Sequence, residues 1–187
     1  MYGLFILFGV IGLIVIALIL WAILTYNGFV KSHLLVDNNF SQIKIQCKKR
    51  FDLIPNLVEV VKGYAQHEKD TLENVVKARN MGASANSPEA LAEANNMLSQ
   101  TLGRLFALSE SYPELKANAG FTNLQHELVN LEKAIAVSRQ FYNDSVMIYN
   151  RKIMVFPNSA LAGVFRFNKA EFFDASEEEL QNVKVSF

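Results

Sequence analysis

The sequence has only one cysteine, Cys47, among its 187 residues. One thiol cannot form an intrachain disulfide, and it cannot supply the several thiolates that a structural zinc site or an iron–sulfur cluster requires. A surplus of either charge is also lacking, because 18 Lys and Arg residues balance 18 Asp and Glu residues. Nucleic-acid-binding surfaces are built on an excess of basic residues. The composition therefore excludes a disulfide scaffold and argues against nucleic acid as a partner.

Motifs typical of enzymes and metal sites are missing as well. Two His-Glu pairs, at 67–68 and 126–127, begin the HExxH zinc motif. Thr71 and Asn130 stand where the second histidine is required. There is no P-loop and no GxSxG nucleophile elbow. We therefore predict a protein without catalytic residues, metal ligands or cofactors, and a hydrolase site assembled only in three dimensions is the least favoured alternative.

Residues 4–24 form an apolar run without a charged residue. At about 1.5 Å per residue, a helix of this length spans roughly 30 Å, the thickness of the hydrocarbon core of a bilayer. A cleaved signal peptide is disfavoured, because the run lacks a basic n-region and a small-x-small cleavage site. No Lys or Arg precedes the run, whereas Lys31 and Lys44 follow it. We predict a transmembrane anchor over 1–25 that contacts lipid through residues 4–24, with the following domain in the cytoplasm.

Residues 26–173 are predicted to form an all-α domain. Apolar residues recur at intervals of three and four between Phe40 and Leu72, which is typical of one face of a long helix. Pro55 lies in this stretch and removes one helical hydrogen bond. We therefore expect either a kink or a break at this proline, with Asp52 available to cap a restarted helix.

The remaining helices are predicted from capping signals and a heptad pattern. A loop over 80–88 contains Ser87 as an N-cap, and the next helix is expected over about 88–111. A capping box at 122–125 begins the last long helix, whose heptad stripe indicates packing against neighbours at shallow angles. The predicted fold is an N-terminal transmembrane helix followed by an antiparallel bundle of long helices. An acidic tail over 174–187 is expected to be flexible.

A polar cluster surrounds the proline. Arg50, Asp52 and Asn56 flank Pro55, where their side chains can satisfy the backbone groups that a proline leaves unpaired. That structural role is sufficient to explain them. The same groups are also candidates for an assembly or docking contact with a partner.

A Tyr-Asn dipeptide occurs twice in the last long helix, as Tyr142-Asn143 and Tyr149-Asn150. The interval is two helical turns, so the tyrosines share one face and the asparagines share the adjacent one. We expect the tyrosine hydroxyls to hydrogen-bond asparagine side chains of a neighbouring helix and so to fix the packing register. These four residues are a second candidate for an assembly contact.

The segment 156–173 is rich in phenylalanine. It contains Phe156, Phe165, Phe167, Phe172 and Phe173. A contiguous aromatic patch typically marks a contact surface. We expect this segment to pack against helices of the same chain or against a neighbouring subunit. Burial in the membrane interface is disfavoured, because its two basic residues are offset by nearby acidic residues.

Several long stretches resemble one bacterial family. They are RFDLIPNLVEVVKGYAQHEKDTLENVVKAR at 50–79, SYPELKAN at 111–118, FTNLQHEL at 121–128, RQFYNDSVMIYN at 139–150 and FPNSALAG at 156–163. In length and order, over nearly the whole chain, they resemble the LemA family of bacterial membrane proteins. Two small departures are Phe51, where the family often has Tyr, and Cys47, in a run that is usually aliphatic or polar.

The resemblance implies a helical bundle with a single N-terminal span in the bacterial inner membrane and without catalytic residues. Members of the family are linked with envelope stress and membrane organisation, and some are encoded beside membrane peptidases. Our leading interpretation is a non-enzymatic scaffold that forms a homo-oligomer through its long helices. The alternative is an adaptor or regulator of a membrane peptidase or sensor, with the bend at 50–56 as its docking site.

Overall fold

The computed structural model describes residues 2–65 and 68–173 of the chain, and every regular element in this part is a helix. The helices are α1 (Tyr2–Lys62), α2 (Lys69–Ser84), α3 (Pro88–Ser109), α4 (Pro113–Ala117), α5 (Ala119–Met154) and α6 (Asn158–Val164). The predicted fold class, a long apolar N-terminal helix followed by a helical bundle, is confirmed. The predicted acidic tail lies outside the described residues.

The helices form two compact units that share α1 and α5. The first unit contains the chain up to Asn38 together with Asp144–Ala170. The second contains Asn39–Asn143 and, among the described residues, 171–173. Within the described part of the chain, α1 is the one helix that is long and apolar enough to cross a membrane.

The second unit is a bundle in which α1 and α5 run in opposite directions. Asn39 of α1 donates its Nδ2–H to the Phe141 carbonyl of α5 at 3.2 Å. Farther along α1, Arg50 pairs with Glu132. Residue numbers therefore rise along α1 as they fall along α5, which establishes the predicted antiparallel packing for this pair.

The helix α3 is also antiparallel to α5. The Ser99 hydroxyl lies 3.1 Å from the Glu132 carboxylate, and farther along α3 the Phe106 ring packs edge-on against Phe121. The helix α2 lies between α1 and α3 in the chain and contacts both. The second unit is thus an up-down-up-down arrangement of α1, α2, α3 and α5, which is typical of four-helix bundles.

The core of this bundle consists of the apolar faces that the periodicity predicted. The buried side chains on α1 and α3 are Ile43, Cys47, Phe51, Ile54, Leu57, Val58 and Val61, followed by Leu91, Ala94, Leu98, Leu102 and Leu105. On α5 the heptad stripe is buried at Leu128, Ile135 and Tyr142. Burial of this apolar surface is the main favourable contribution to folding.

Pro55 does not interrupt α1, so of the two expected alternatives, a kink or a break, the break is excluded. A proline leaves the carbonyl four residues earlier without its helical donor. That carbonyl belongs to Phe51, and Arg79 of α2 donates its Nε–H to it at 3.4 Å, the long end of the hydrogen-bond range. Asp52 is therefore not an N-cap, and its carboxylate pairs with Lys48 at 2.9 Å.

The ends of α1 and α2 lie away from Pro55. The helix α1 stops immediately before Gly63, because glycine has a low helix propensity. The helix α2 continues into the loop predicted over 80–88 and leaves only 85–87 between helices. The Ser87 cap is confirmed, since its hydroxyl accepts the Ala90 N–H at 3.1 Å.

The last long helix begins earlier than the capping box indicated. It starts at Ala119, and Asn118 caps it by accepting the Phe121 N–H on Oδ1 at 3.0 Å. Thr122 lies inside the helix and donates its hydroxyl to the Asn118 carbonyl at 3.2 Å. The predicted cap was therefore wrong, because an asparagine two positions upstream of the glycine satisfies the first amides better.

The first unit joins the start of the soluble part of α1 to the end of α5. Lys152 donates to the Gly28 carbonyl at 2.8 Å and to the Ser32 hydroxyl at 3.1 Å. The His33 ring packs edge-on against Tyr149, with ring centres 5.2 Å apart. These contacts place the C-terminal end of α5 beside the residues of α1 that follow the apolar run.

Gly82→Ala is expected to destabilise the protein by about 1–3 kcal/mol, the usual effect of overpacking a core. A methyl group on Gly82 of α2 overlaps the buried ring of Phe51 on α1. Thermal unfolding of the full-length protein in mild detergent measures the change.

Gly103→Ala on α3 is the matched control, since a methyl group there meets nothing within 4 Å. It is expected to gain up to about 1 kcal/mol from helix propensity. Equal melting temperatures for the two variants would contradict the close contact of α1 and α2 at Gly82.

Candidate functional site

A buried guanidinium joins three helices of the second unit. Arg50 of α1 is 3% exposed, and its Nη1 donates to Asn95 Oδ1 at 2.8 Å and to the Ser99 hydroxyl at 3.1 Å, both on α3. The same atom forms an ion pair with Glu132 of α5. Ser99 also contacts both carboxylate oxygens of Glu132, at 3.1 Å each. We call Arg50, Asn95, Ser99 and Glu132 the polar junction.

Burial sets the electrostatics of the polar junction. Removal from water lowers the pKa of Arg50, and the Glu132 carboxylate opposes that shift. Among the described residues, the Nε of Arg50 is buried without a hydrogen-bond partner. Burial also raises the pKa of the neighbouring Cys47 thiol to about 12, with Arg50 opposing the rise. Cys47 is therefore protonated at neutral pH, which suits a packing residue and not a thiolate nucleophile.

The residues predicted to form one polar cluster around the proline lie in different environments. Arg50 is buried in the polar junction, whereas Asp52, Pro55 and Asn56 are exposed. The prediction that the three polar residues satisfy the backbone around the proline is wrong, because Arg79 does so. A docking role for the exposed residues stays a prediction.

Three residues of the polar junction, Asn95, Ser99 and Glu132, were not predicted from the sequence. A signal for Asn95 exists, since it lies between Leu91 and Leu98 on the apolar stripe of α3. A polar residue in such a position needs a buried partner. That partner, Arg50, is 45 residues away, and no local pattern specifies it.

Two Tyr-Asn dipeptides of α5 hold the extended chain that follows α6. In the first unit, the Tyr149 hydroxyl donates to the Asn168 carbonyl at 2.9 Å. Asn150 binds Ala170 twice, donating from Nδ2 to its carbonyl at 2.9 Å and accepting its N–H on Oδ1 at 2.8 Å. An asparagine amide carries both a donor and an acceptor, so it pairs with backbone as a neighbouring strand does.

The same arrangement recurs in the second unit. The Tyr142 hydroxyl donates to the Glu171 carbonyl at 2.7 Å, and Asn143 exchanges two bonds with Phe173, at 3.0 and 2.9 Å. The two arrangements are seven residues apart on α5, a rise of about 10.5 Å along the helix. Their partners are three residues apart on the extended chain, an advance of about 10 Å. The helix and the extended chain therefore keep the same spacing. We call these two arrangements the Tyr-Asn clamps.

The partners of the Tyr-Asn clamps differ from the prediction. Both hydroxyls donate to backbone carbonyls of the C-terminal segment, where side-chain asparagines of a neighbouring helix were expected. Burial, with a smaller effect from the Asp37 carboxylate, raises the pKa of Tyr149. The raised pKa keeps this hydroxyl protonated and able to donate.

The phenylalanines of the aromatic segment divide into buried and exposed ones. Phe167 packs edge-on against Tyr26, with ring centres 5.7 Å apart, and Phe173 is fully buried. Phe165 also contacts Tyr26, at 4.9 Å between ring centres, but about half of its surface is exposed. Phe172 is exposed to a similar extent. Part of the segment thus packs on its own chain and part faces outward.

A groove lies beside α1 and α2 in the second unit, with a volume of about 970 Å³. Its apolar lining includes Val58, Leu72, Val76 and Met81, and the charged residues that line it are Lys62, Lys69, Lys77 and Glu73, of which Glu73 pairs with Lys69. The combination of apolar surface and an excess of positive charge suits an acidic segment with apolar side chains.

Comparison with known proteins assigns the family. The model of the LemA family matches residues 39–187, which is most of the chain. The chain belongs to the LemA family, and the resemblance of its sequence motifs to that family is confirmed.

Relatives of this chain include proteins from several bacteria. Magnetosome protein MamQ 2 of Paramagnetospirillum magneticum is 27% identical over 185 residues, covering 85% of this chain and 68% of the relative. Magnetosome protein MamQ of Magnetospirillum gryphiswaldense is 26% identical over 184 residues, covering 84% and 68%. Protein LemA of Metamycoplasma hominis is 26% identical over 155 residues, covering 81% and 69%. These relatives and the apolar start of α1 indicate a membrane-associated protein.

Glu132→Gln is expected to destabilise the protein by about 1–3 kcal/mol, because the buried Arg50 loses its counter-charge. Removing one partner of a fully buried ion pair costs about 3–5 kcal/mol. The loss expected here is smaller, because the Glu132 side chain is 43% exposed. Thermal unfolding in detergent measures it. Glu127→Gln, at an exposed position of the same helix, is the control and is expected to change stability by less than about 0.5 kcal/mol. If both variants melted like the parent, the polar junction would not hold the helices together.

Asn150→Ala is expected to release the end of the extended segment from α5. It removes both hydrogen bonds to Ala170, so amide hydrogen exchange in residues 166–170 should accelerate by about tenfold, the equivalent of about 1.4 kcal/mol. Asn130→Ala, at an exposed position of α5, is the control and should leave this exchange unchanged. Unchanged exchange in both variants would rule out a clamp at Asn150.

Proposed function

We propose that this protein is a non-enzymatic, membrane-anchored scaffold that self-associates through its helical bundle. The observation that carries the proposal is α1, a single helix of 61 residues. The apolar run of 4–24 begins this helix, and Arg50 and the buried stripe of the bundle lie on its later part. The anchor and the core of the bundle thus belong to one helix without an intervening loop.

An exposed apolar pair on α5 is the proposed contact between copies. Val137 and Phe141 are 54% and 62% exposed and lie about one turn apart. Anchoring confines all copies to one surface in the same orientation, which raises their effective concentration. A small apolar contact is then sufficient for assembly, and its partner is a second copy of this chain.

The buried ionisable groups support a structural role over a catalytic one. Arg50 engages three neighbouring side chains, and the Cys47 thiol, with its pKa of about 12, remains protonated.

The relatives suggest where such a scaffold acts. Two of them are named magnetosome proteins. By extension we assign this protein a role in membrane organisation. The lysines that follow the apolar run favour an orientation with the bundle in the cytoplasm of a bacterial cell.

Site-specific cross-linking in membranes tests the scaffold. In a full-length Cys47→Ser background, Phe141→Cys is expected to form a disulfide-linked dimer of this chain under mild oxidation. Ala136→Cys is the matched control, because it is exposed on the same helix but points about 140° away from Phe141. Dimer formation at position 141 and its absence at position 136 support the proposal. Absence of a dimer at both positions contradicts it.

A second candidate function is that of an adaptor or regulator for a membrane peptidase or sensor. The groove beside α1 and α2 favours it, because its lysine-lined apolar surface suits an acidic segment of a client. A thiol-linked photo-cross-linker at Val76→Cys, in the same Cys47→Ser background, separates the two candidates because Val76 lines the groove. A stoichiometric cross-link from position 76 to an unrelated protein, without a dimer at position 141, supports the adaptor.

A further inference from the structure

We propose that the corner between α5 and α6, residues 154–165, inserts its exposed apolar side chains into the interfacial region of the lipid bilayer. The inference rests on the membrane anchoring in the proposed function and is independent of self-association. It gives the protein a second membrane contact, made by a segment more than 120 residues away from the span in sequence.

Contacts within the first unit place this corner at the end of the membrane span. The Phe165 ring packs edge-on against Tyr26, which lies about 3 Å along the helix axis beyond residue 24. On the α5 side, Lys152 donates to the Gly28 carbonyl at 2.8 Å. Both ends of the corner are therefore fixed beside the residues of α1 that emerge from the apolar run.

The corner exposes large apolar side chains at this level. Phe156 is 82% exposed and Val164 is 74% exposed, and Met154, Val155 and Phe165 are each about half exposed. Apolar side chains of this size, grouped at one corner, form the kind of patch that marks a contact surface. The adjacent apolar run identifies the lipid as the occupant, because the bilayer begins where Tyr26 and Phe165 meet.

The charges around the corner agree with a lipid partner. Residues 153–165 contain no charged side chain. Arg151 and Lys152 precede this stretch and Arg166 follows it, and positive side chains at the border of an apolar patch attract anionic headgroups. The acidic residues that argued against an interfacial location come later in the chain, beginning at Glu171. Glu171 belongs to the part of the segment held by the Tyr-Asn clamps.

A second copy of the chain is the competing occupant of the corner. Contact with another protein and contact with lipid both remove a side chain from water. Only lipid contact also brings the side chain within reach of a quencher attached to lipid. The experiment therefore has to measure lipid proximity and not merely protection.

Fluorescence quenching in vesicles tests the proposal. The full-length Cys47→Ser protein carries Phe156→Cys labelled with an environment-sensitive dye and is reconstituted into phosphatidylcholine and phosphatidylglycerol vesicles at low protein density. Lipids with a spin label near the headgroup are expected to quench this dye at least about twofold more than a dye at Val129→Cys. Position 129 is the control because it is exposed on α5, lies about 37 Å before the end of that helix and is not part of the proposed contact between copies. Val164→Cys is a second probe of the corner and is expected to behave like Phe156→Cys.

Trp21, the only tryptophan of the chain, reports separately on the anchor. If lipid quenches Trp21 but quenches the dyes at 156 and 164 no more than the dye at 129, the proposed insertion is overturned while the anchoring stands. A dye at position 156 that is shielded from water but not quenched by lipid also contradicts the proposed insertion, because that result indicates contact with a second copy. Failure to quench Trp21 overturns the anchoring and with it this inference.

Discussion

The buried guanidinium of Arg50 is the constraint on which the helical bundle depends. A charge removed from water is tolerated only when its partners are in place. Its partners are Asn95 and Ser99 on α3 and Glu132 on α5. A slip of one helical turn, about 5.4 Å, separates all of them, whereas apolar stripes alone tolerate such a slip. We infer that the polar junction fixes the register of three helices, and that the apolar stripes supply most of the favourable energy.

Local patterns predicted the helices, their buried faces and the Ser87 cap, because each depends on residues close together in sequence. The cap of α5 was misplaced locally, at Thr122 instead of Asn118, whereas the other errors occurred where a distant residue decides the outcome. Pro55 looked like a break, yet Arg79, 28 residues after Phe51, supplies the donor that the Phe51 carbonyl lacks. The Tyr-Asn repeat was recognised, but an asparagine amide pairs with backbone as well as with side chains. Its partners, the backbone groups of residues 168–173, follow a stretch of chain whose path no periodicity specifies.

The two Tyr-Asn clamps and the corner between α5 and α6 together determine the path of the C-terminal segment. The clamps give the C-terminal segment a defined path along α5 without adding a helix to the core. Phe167 packs on Tyr26 and Phe29 at the start of that path, and the corner immediately before it exposes its apolar side chains. In our proposal, this corner meets the membrane surface while the clamped segment packs on α5. Anchor, corner and bundle are the three parts of the chain on which the proposed membrane scaffold rests.

The number of copies in each membrane assembly tests the central claim most directly. Full-length protein with one fluorophore per chain, placed in a supported bilayer at low density, reports this number through the count of photobleaching steps. A self-associating scaffold predicts spots with two or more steps, well above the frequency of chance overlap, and a return to single steps when Phe141 is replaced by lysine. Single steps throughout, in the parent protein and at every surface density, would contradict the account.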